Sequence, residues 1–356
     1  MKKNITKSGS YLLATACSFF ITMIMNSCTK SNDAVTEQSF SQTNLVSSSA
    51  TFAGARVDPF FINGWGIAFS PTGNAWISAE ATGVSVIYDK TGTQMLAPVS
   101  IPSPTASTGG APTGQVYNGT VDFILPGGNP AKFIFVGTDG VISAWNTGSS
   151  AIRMVDRSAT SIYTGAAIAT NGTTNYLYAA DFKSGKIDVY DKNFVLQSML
   201  FIDPNKPGGY SPFNIQNIGG QLYVMYAEID AITNDEIKGA GLGYVNIFNP
   251  DGSYVKRFAS QGALNAPWGI AQAPAGFLNN SSSVMLIGNF GDGHINAYDL
   301  AGNLLGNLKS NGTTITIEGL WGISFAPASA TTVDPNWLFF SAGPGDETQG
   351  LFGYIK

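Results

Sequence analysis

Histidine, cysteine and charged side chains are scarce in this sequence. Its 356 residues include one histidine, two cysteines and 12% charged residues, against about 25% charged in an average globular protein. A single histidine excludes zinc sites built from several histidines and leaves a Ser-His-Asp scheme with His294 as its one possible base. Lys and Arg form no cluster beyond the N-terminus and the formal net charge is −5, which argues against a nucleic-acid partner.

Residues 1–28 have the pattern of an export signal. Three lysines precede an apolar run of 15 residues at 11–25, which is short for a membrane span and typical of a signal-peptide core. The run leads into Cys28 through a segment that resembles the bacterial lipobox, except for Asn26, where a small residue is more usual. Because Cys17 lies in the segment to be removed, Cys28 has no disulfide partner in the mature chain, and we expect it to be lipidated. An ordinary cleaved signal with an incidental Cys28 is the alternative.

The polar residues 29–43 show no hydrophobic periodicity, so we interpret them as a flexible tether that precedes a domain at 44–356. The expected location is the bacterial cell envelope, at the outer membrane and facing the periplasm or the cell surface. The membrane contact expected there is the lipid anchor alone, and the expected state is a monomer.

From Trp65 onward the chain repeats a pattern of three short β-runs. Each repeat begins with an apolar run that often contains glycine, and its third run closes with an aromatic residue. The closing aromatics recur at a mean interval of about 53 residues and are Tyr88, Trp145, Tyr190, Phe248, Tyr298 and Tyr354. Six units of this length predict an all-β, six-bladed β-propeller with four-stranded blades.

The first run of each repeat is expected to be the innermost strand of its blade. These runs are Trp65–Phe69, Val121–Ile124, Gly165–Ala169, Phe213–Ile215, Trp268–Ala271 and Trp321–Phe325. Small residues within them suit a crowded axis: Gly66, Ala68, Gly165, Ala166, Gly269 and Gly322. Residues 101–115 are expected to be a loop that leads to blade two.

Outer fourth strands are expected in five repeats, at Met95–Ile101, Ala151–Val155, Leu196–Ile202, Tyr254–Phe258 and Leu304–Leu308. The chain ends before the sixth repeat can form its own. We expect Thr43–Val46 to fill that place and to close the ring, because closure removes exposed strand edges.

Two segments carry a more specific pattern, Trp65-Gly-Ile-Ala-Phe-Ser-Pro-Thr-Gly-Asn-Ala-Trp-Ile-Ser and Ile287-Gly-Asn-Phe-Gly-Asp-Gly-His-Ile-Asn-Ala-Tyr298. Both resemble the NHL repeat. The whole stretch 44–355 is similar to a family of uncharacterised secreted bacterial propeller proteins, with matching segments at 110–114, 212–220, 239–243, 266–271, 288–293 and 342–347. The resemblance implies an NHL-like propeller and an exported chain. It implies no settled activity, so no catalytic residue is carried over.

Oxygen-bearing side chains stand just before the first strands or just after the second strands of the repeats, where propellers form their channel mouth. The candidates are Asn63, Glu80, Asp139, Asp181, Asn214, Glu228, Asn265, Asn289, Glu318 and Asp346. One such oxygen per blade is the ligand chemistry of calcium, and propeller lactonases use a calcium cage of this kind to polarise a carbonyl and activate water. Tight turns select the same residue types, so turn structure is the alternative.

Other features give weaker indications. Residues 289–294 suggest a calcium loop, but the same register at 181–186 is a turn, which makes His294 a rim or surface residue. The acidic insertion 228–238 is expected to form a short helix or lid, or a solvated excursion. Trp65, Trp268 and Trp321 share one register near the axis and are the candidates for a stacking platform.

These observations leave two functions open. The favoured one is a binding or scaffold module for a ligand, glycan or protein, since no catalytic signature such as Gly-x-Ser-x-Gly appears in the chain. The alternative is a calcium-dependent hydrolase or lyase of the propeller lactonase type, acting at the central channel.

Overall fold

The computed structural model describes residues 38–279 and 282–356, which form β-strands, turns and a single-turn 3-10 helix at Glu80–Thr82. The chain enters through β1 (Gln42–Ser47) and the short β2 (Arg56–Val57). No helix in the described ranges is long and apolar enough to cross a membrane.

Six sheets form the blades, each running from an innermost to an outermost strand; their strands pair antiparallel, except that β2 pairs parallel with β1 at the edge of the last sheet. Blade one is β3 (Gly64–Phe69), β4 (Ala75–Ala79), β5 (Val84–Tyr88) and β6 (Gln94–Ser100). Blade two is β7 (Pro112–Tyr117), β8 (Phe133–Gly137), β9 (Val141–Trp145) and β10 (Ile152–Asp156). Blade three is β11 (Tyr163–Asn171), β12 (Thr174–Asp181), β13 (Lys186–Tyr190) and β14 (Leu196–Gln197).

Blade four is β15 (Tyr210–Ile218), β16 (Gln221–Ile229), β18 (Tyr244–Phe248) and β19 (Tyr254–Ser260), with β17 (Glu236–Ile237) paired to the end of β16. Blade five is β20 (Pro267–Ala273), β21 (Val284–Asn289), β22 (Ile295–Tyr298) and β23 (Leu304–Asn307). A small hairpin of β24 (Lys309–Ser310) and β25 (Thr313–Thr314) leads to blade six, which is β26 (Leu320–Phe325), β27 (Leu338–Ala342) and β28 (Leu351–Ile355). The predicted six-bladed, all-β propeller is confirmed.

The N-terminal strand closes the ring as predicted. Strand β1 pairs antiparallel with β28, with Val46 opposite Phe352, and supplies the fourth strand of blade six. Residues 38–43, which the sequence assigned to the tether, also belong to the propeller, because Phe40 is buried and packs on Phe277 with ring centroids 5.2 Å apart. Cys28, the export signal and the rest of the tether lie outside the described residues.

The predicted innermost strand of blade two, Val121–Ile124, is wrong. The chain uses β7 at the axis instead, and Val121 is exposed. Polar side chains make this possible, because they satisfy backbone groups of the neighbouring blades: Thr113 Oγ1 donates to Tyr163 O over 2.8 Å and Gln115 Nε2 donates to Gly66 O over 2.9 Å. The outer strand predicted at Leu196–Ile202 is shorter than expected and covers only β14.

The small residues predicted for the axis are required by close contacts. A Cβ on Gly165 would lie 2.0 Å from Asn214 Oδ1, and one on Gly269 would lie 2.7 Å from Trp321 O. Neighbouring innermost strands can therefore approach each other only where side chains are absent or small.

Large aromatic side chains fill one end of the channel. This axial aromatic cluster consists of Trp65, Phe182, Phe213, Trp268, Phe290 and Trp321. Trp65 and Trp321 stack with ring centroids 3.4 Å apart, while Trp65 of blade one also meets Trp268 of blade five at 5.9 Å. Contact between blades that are not neighbours in the ring shows that the cluster occupies the axis itself.

Candidate ligand site at the channel mouth

A cavity of about 270 Å³ adjoins the axial aromatic cluster on the face where the chain enters the innermost strands. Its apolar walls include Trp65, Phe182 and Phe213, all buried. Its polar walls carry four carboxylates, those of Glu80, Asp235, Glu236 and Glu347. We call this space the mouth cavity.

Asn63 holds two of these carboxylates in place. Its backbone has φ 53°, a left-handed conformation that asparagine tolerates better than most residues, and its side chain is buried. The amide Nδ2 donates to Glu80 Oε2 over 3.2 Å and to Glu347 Oε2 over 2.8 Å, while Oδ1 accepts from Trp321 Nε1 over 3.0 Å. One amide thus connects carboxylates of blades one and six to the aromatic cluster below.

Burial raises the pKa of three of the mouth carboxyl groups, those of Glu80, Glu236 and Glu347. For Glu80 the rise is opposed by hydrogen bonds from Asn63 and Thr138, and for Glu347 by Asn63 and the charge of Lys238. Burial, together with the charge of Glu347, raises the pKa of Glu236 to about 7. The mouth cavity therefore presents partly desolvated carboxylates, one of which exchanges its proton near neutrality.

The acidic insertion of blade four forms a β-hairpin, not a helix. Asp230 closes its turn by accepting hydrogen bonds from the backbone N–H groups of Ile232 and Thr233, over 2.7 and 3.0 Å. Strand β17 then pairs back with β16, with Glu236 opposite Ile229. This pairing places Glu236 beside the mouth cavity, so the insertion supplies part of the site.

A second cavity of about 190 Å³ lies beside the first and shares Glu347 with it. Its lining includes Lys238, Phe290, Asp292, Glu318 and Asp346. Lys238 Nζ lies 4.2 Å from the centroid of the Phe290 ring, a cation–π contact. Glu318 Oε1 accepts a hydrogen bond from the backbone N–H of Gly345 over 3.0 Å.

Several of the predicted oxygen-bearing residues are engaged in the fold. Asp181 accepts from the backbone N–H of Ile162 at 3.1 Å and of Ser184 at 3.2 Å, which is a turn role. Asp139 accepts from Val141 and Ala111 in the same way, at 3.2 and 3.3 Å.

Three predicted amides also bind within the fold. Asn214 Nδ2 donates to Trp268 O at 2.8 Å and Asn289 Nδ2 to Ala263 O at 2.8 Å, while Asn265 Oδ1 accepts from Gly239 N at 2.7 Å. Each of them connects backbone segments and lines neither mouth-face cavity.

The remaining candidates lie near the site or at its edge. Glu80 lines the mouth cavity and Asp346 the second one, whereas half-buried Glu228 begins the hairpin and lines neither. His294 is half-buried at the rim, with Nδ1 3.7 Å from Asp292 Oδ1. Within the described ranges, no group of three or more His, Cys, Asp and Glu side chains is arranged to hold a metal ion.

The sequence did not single out Glu236 or Glu347 as site residues. Glu347 directly follows the candidate Asp346, and both have positive φ, so the carboxylate that lines the mouth cavity stands one position later than the candidate. Trp65 also has an unexpected feature. Its buried indole N–H has no acceptor among the described residues, whereas Trp268 Nε1 donates to Thr164 O over 3.0 Å.

The opposite end of the channel holds a larger cavity of about 320 Å³, lined by the later residues of the innermost strands. Its lining includes Gln115, Tyr117, Gln216 and Phe325 and carries no charged side chain. The two ends of the channel therefore differ in charge, and only the mouth is acidic.

Comparisons with known proteins give relatives by sequence and neighbours by fold. No family model matches the chain. The uncharacterized protein R648 of Acanthamoeba polyphaga mimivirus is 36% identical over 329 residues, which cover 88% of this chain and 79% of that protein. The uncharacterized protein L690 of the same virus is 34% identical over 330 residues, covering 88% and 84%. These viral relatives carry no information on the bacterial origin that the sequence suggested.

Solved structures of similar fold include enzymes. A streptogramin B lyase structure superposes with a TM-score of 0.52 at 12% identity, covering 89% of this chain and 97% of that one. The apo-form of the soluble aldose sugar dehydrogenase of Escherichia coli gives a TM-score of 0.54 at 14% identity, covering 89% and 99%. At these identities the likeness shows the propeller fold alone.

Proposed function

The chain belongs to the family that includes the uncharacterized mimivirus proteins R648 and L690, and we propose that its propeller is a binding module that holds a small polar ligand in the mouth cavity. The observation that carries this proposal is the set of half-buried carboxylates that Asn63 fixes beside the axial aromatic cluster. Concave sites with apolar walls and a few oriented polar groups are the usual form of small-molecule sites.

Glu80, Glu236 and Glu347 have no close ion-pair partner among the described residues. The close ion contacts of the described residues join Arg157 to Asp188, Arg257 to Asp203 and His294 to Asp292, and none involves Glu80, Glu236 or Glu347. Buried charges are costly unless they are paired. Asn63 donates hydrogen bonds to Glu80 and Glu347, but these two carboxylates and Glu236 are half-buried in one cavity without a close cationic partner among the described residues, which favours a cationic ligand.

In this proposal the propeller is exported and held at the bacterial outer membrane by a lipid on Cys28. It acts there as a monomer that binds a small ligand, a glycan or a protein. The lipobox-like segment before Cys28 supports this location. Mass spectrometry of the protein purified from its host tests it, because lipidation adds acyl chains to an N-terminal Cys28. In a Cys28→Ser variant the acylated N-terminus and the partition into detergent are both expected to disappear.

Ligand binding at the mouth can be tested with the full chain by thermal unfolding in the presence of a panel of monosaccharides and small amines. We expect at least one compound to raise the midpoint of unfolding of the wild type and to have no effect on Glu347→Gln. Gln216→Ala, in the cavity at the opposite end of the channel, is the matched control and should respond like the wild type. A response that Gln216→Ala loses and Glu347→Gln keeps would contradict the proposed place of binding.

A calcium-dependent hydrolase or lyase acting at the channel is the second candidate function. The carboxyl group of Glu236, with its pKa of about 7, favours it, because a group of this kind can donate or accept a proton at neutral pH. Calorimetric titration of calcium, with unfolding measured with and without a chelator, tests this candidate. Stoichiometric binding that Glu347→Ala abolishes would support it, and the absence of both heat and a chelator effect would exclude calcium.

A further inference from the structure

The charge of the mouth cavity is unbalanced. Four carboxylates line it and no Lys or Arg does. Lys238 lowers the pKa of Glu236 and Glu347 through its charge. It forms no ion pair within the described ranges, however, and lies over Phe290 in the second cavity. A cationic group on a ligand would balance the remaining negative charge.

The same face shows how an ammonium group is accommodated. Lys238 Nζ sits 4.2 Å from the centroid of the Phe290 ring, so aromatic faces of the axial cluster already receive a cation. The mouth cavity combines carboxylates with the same aromatic cluster through Trp65, Phe182 and Phe213. A ligand ammonium there would have charged acceptors on one side and aromatic carbon on the other.

An independent observation concerns the indole of Trp65. The side chain lines the mouth cavity and is 5% exposed, and its N–H finds no acceptor among the described residues. A buried donor without an acceptor destabilises the state that contains it. The nitrogen itself is closed to solvent, so a ligand hydroxyl or carbonyl oxygen would satisfy this donor only by displacing the side chains that cover it, whereas a simple alkylammonium ion has no acceptor to offer.

We infer, building on the proposed binding function, that the ligand of the mouth cavity is a small hydroxylated amine, an amino sugar being the representative compound. Its ammonium group pairs with Glu80, Glu236 and Glu347, and a hydroxyl oxygen accepts from Trp65 Nε1. The cavity volume of about 270 Å³ lies just below the range of typical ligand sites, which span about 300–1,000 Å³. This volume favours a single ring over a longer oligosaccharide.

Calorimetric titration of the full chain at neutral pH with three probes tests the inference. Glucosamine carries the ammonium group, glucose replaces it with a hydroxyl, and N-acetylglucosamine keeps the nitrogen without the charge. We expect glucosamine to bind at least about tenfold more tightly than the other two probes. This ratio corresponds to the low end of the free energy that a charged hydrogen bond contributes.

Variants separate the two recognition elements. Glu347→Gln and Glu236→Gln should each weaken glucosamine by about tenfold and leave any glucose binding within about twofold, because they remove charge and keep the shape. Trp65→Phe removes the indole N–H and should weaken the binding of all three probes. Gln216→Ala at the opposite end of the channel should leave the affinity for all three probes unchanged. The two glutamate variants lie on different blades, so a folding defect in one of them still leaves the other as a test.

Each contrary outcome has a distinct meaning. Equal binding of the three probes that is lost in Trp65→Phe would overturn the recognition of an ammonium group and leave the proposed binding function in place. Binding that survives both glutamate variants but not Gln216→Ala would overturn the inference and the proposed site together. Failure of all three probes would overturn the inference, and the wider thermal panel then decides the proposed function by itself.

Discussion

Replacing Glu236 by glutamine should stabilise the protein at alkaline pH. The pKa of this carboxyl group rises from 4.5 to about 7 on folding, mainly because it is buried. The folded protein therefore holds a proton between these pH values that the unfolded chain does not, so stability is full below pH 4.5 and is lost as pH rises through about 7. Glutamine is neutral at all pH values and escapes this loss.

The size of the effect follows from the shift. At about 1.4 kcal/mol per pKa unit, the shift corresponds to at most about 3 kcal/mol, and the partial exposure of the hairpin reduces this to about 1–3 kcal/mol. Equilibrium urea unfolding of the wild type and Glu236→Gln should give equal free energies at about pH 4.5 and a more stable variant at about pH 8.5.

The matched control is Glu318→Gln, an exposed carboxylate on the same face, which should change stability by no more than about 0.5 kcal/mol at either pH. Equal stabilities of Glu236→Gln and the wild type at about pH 8.5 would refute the reasoning, as would a variant that is less stable there. A confirmed gain would identify Glu236 as a residue kept at a cost in stability, which is typical of functional sites.

Two further predictions concern the fold. Phe40→Ala should reduce the free energy of unfolding by about 3–5 kcal/mol, because it empties a buried aromatic site, whereas Phe60→Ala, at an exposed position, should cost less than about 1 kcal/mol; urea unfolding compares the two. Gly269→Ala should destabilise the protein by about 1–3 kcal/mol, because its Cβ would meet the backbone oxygen of Trp321. A Cβ at Gly127 has no other atom within 4 Å, so Gly127→Ala should be neutral. Equal midpoints of thermal unfolding for these two variants would contradict the packing argument.

The periodic part of the fold could be predicted from the sequence because each blade repeats the same local physics. Closing aromatics such as Tyr88 and Tyr190 are buried between blades, so their spacing reports the blade length directly. The closing strand was predictable for a topological reason, since a ring that ends on a third strand needs a fourth from its other end. Innermost strand β7 was not predictable, because its polar residues Thr113 and Gln115 are stabilised by partners on neighbouring blades.

The candidate site was only partly predictable for a related reason. Glu80 was found because it directly follows a second strand, the position at which propeller loops reach the mouth. Glu236 depends on a hairpin inside an insertion that has no counterpart in the other repeats, and Glu347 depends on a turn with positive φ. Their proximity arises from the closed ring, which no local pattern encodes.

The pairing of β1 with β28 also has a consequence for folding kinetics. Val46 and Phe352 are opposite each other although roughly 300 residues separate them along the chain, and forming so distant a contact carries the entropy of closing the whole ring. Hairpins within blades one to five need only local contacts, whereas blade six is complete only after the last strand has been synthesised. We therefore expect ring closure to be the late, slow step of folding, and the junction between the first and last strands to be the place where opening begins.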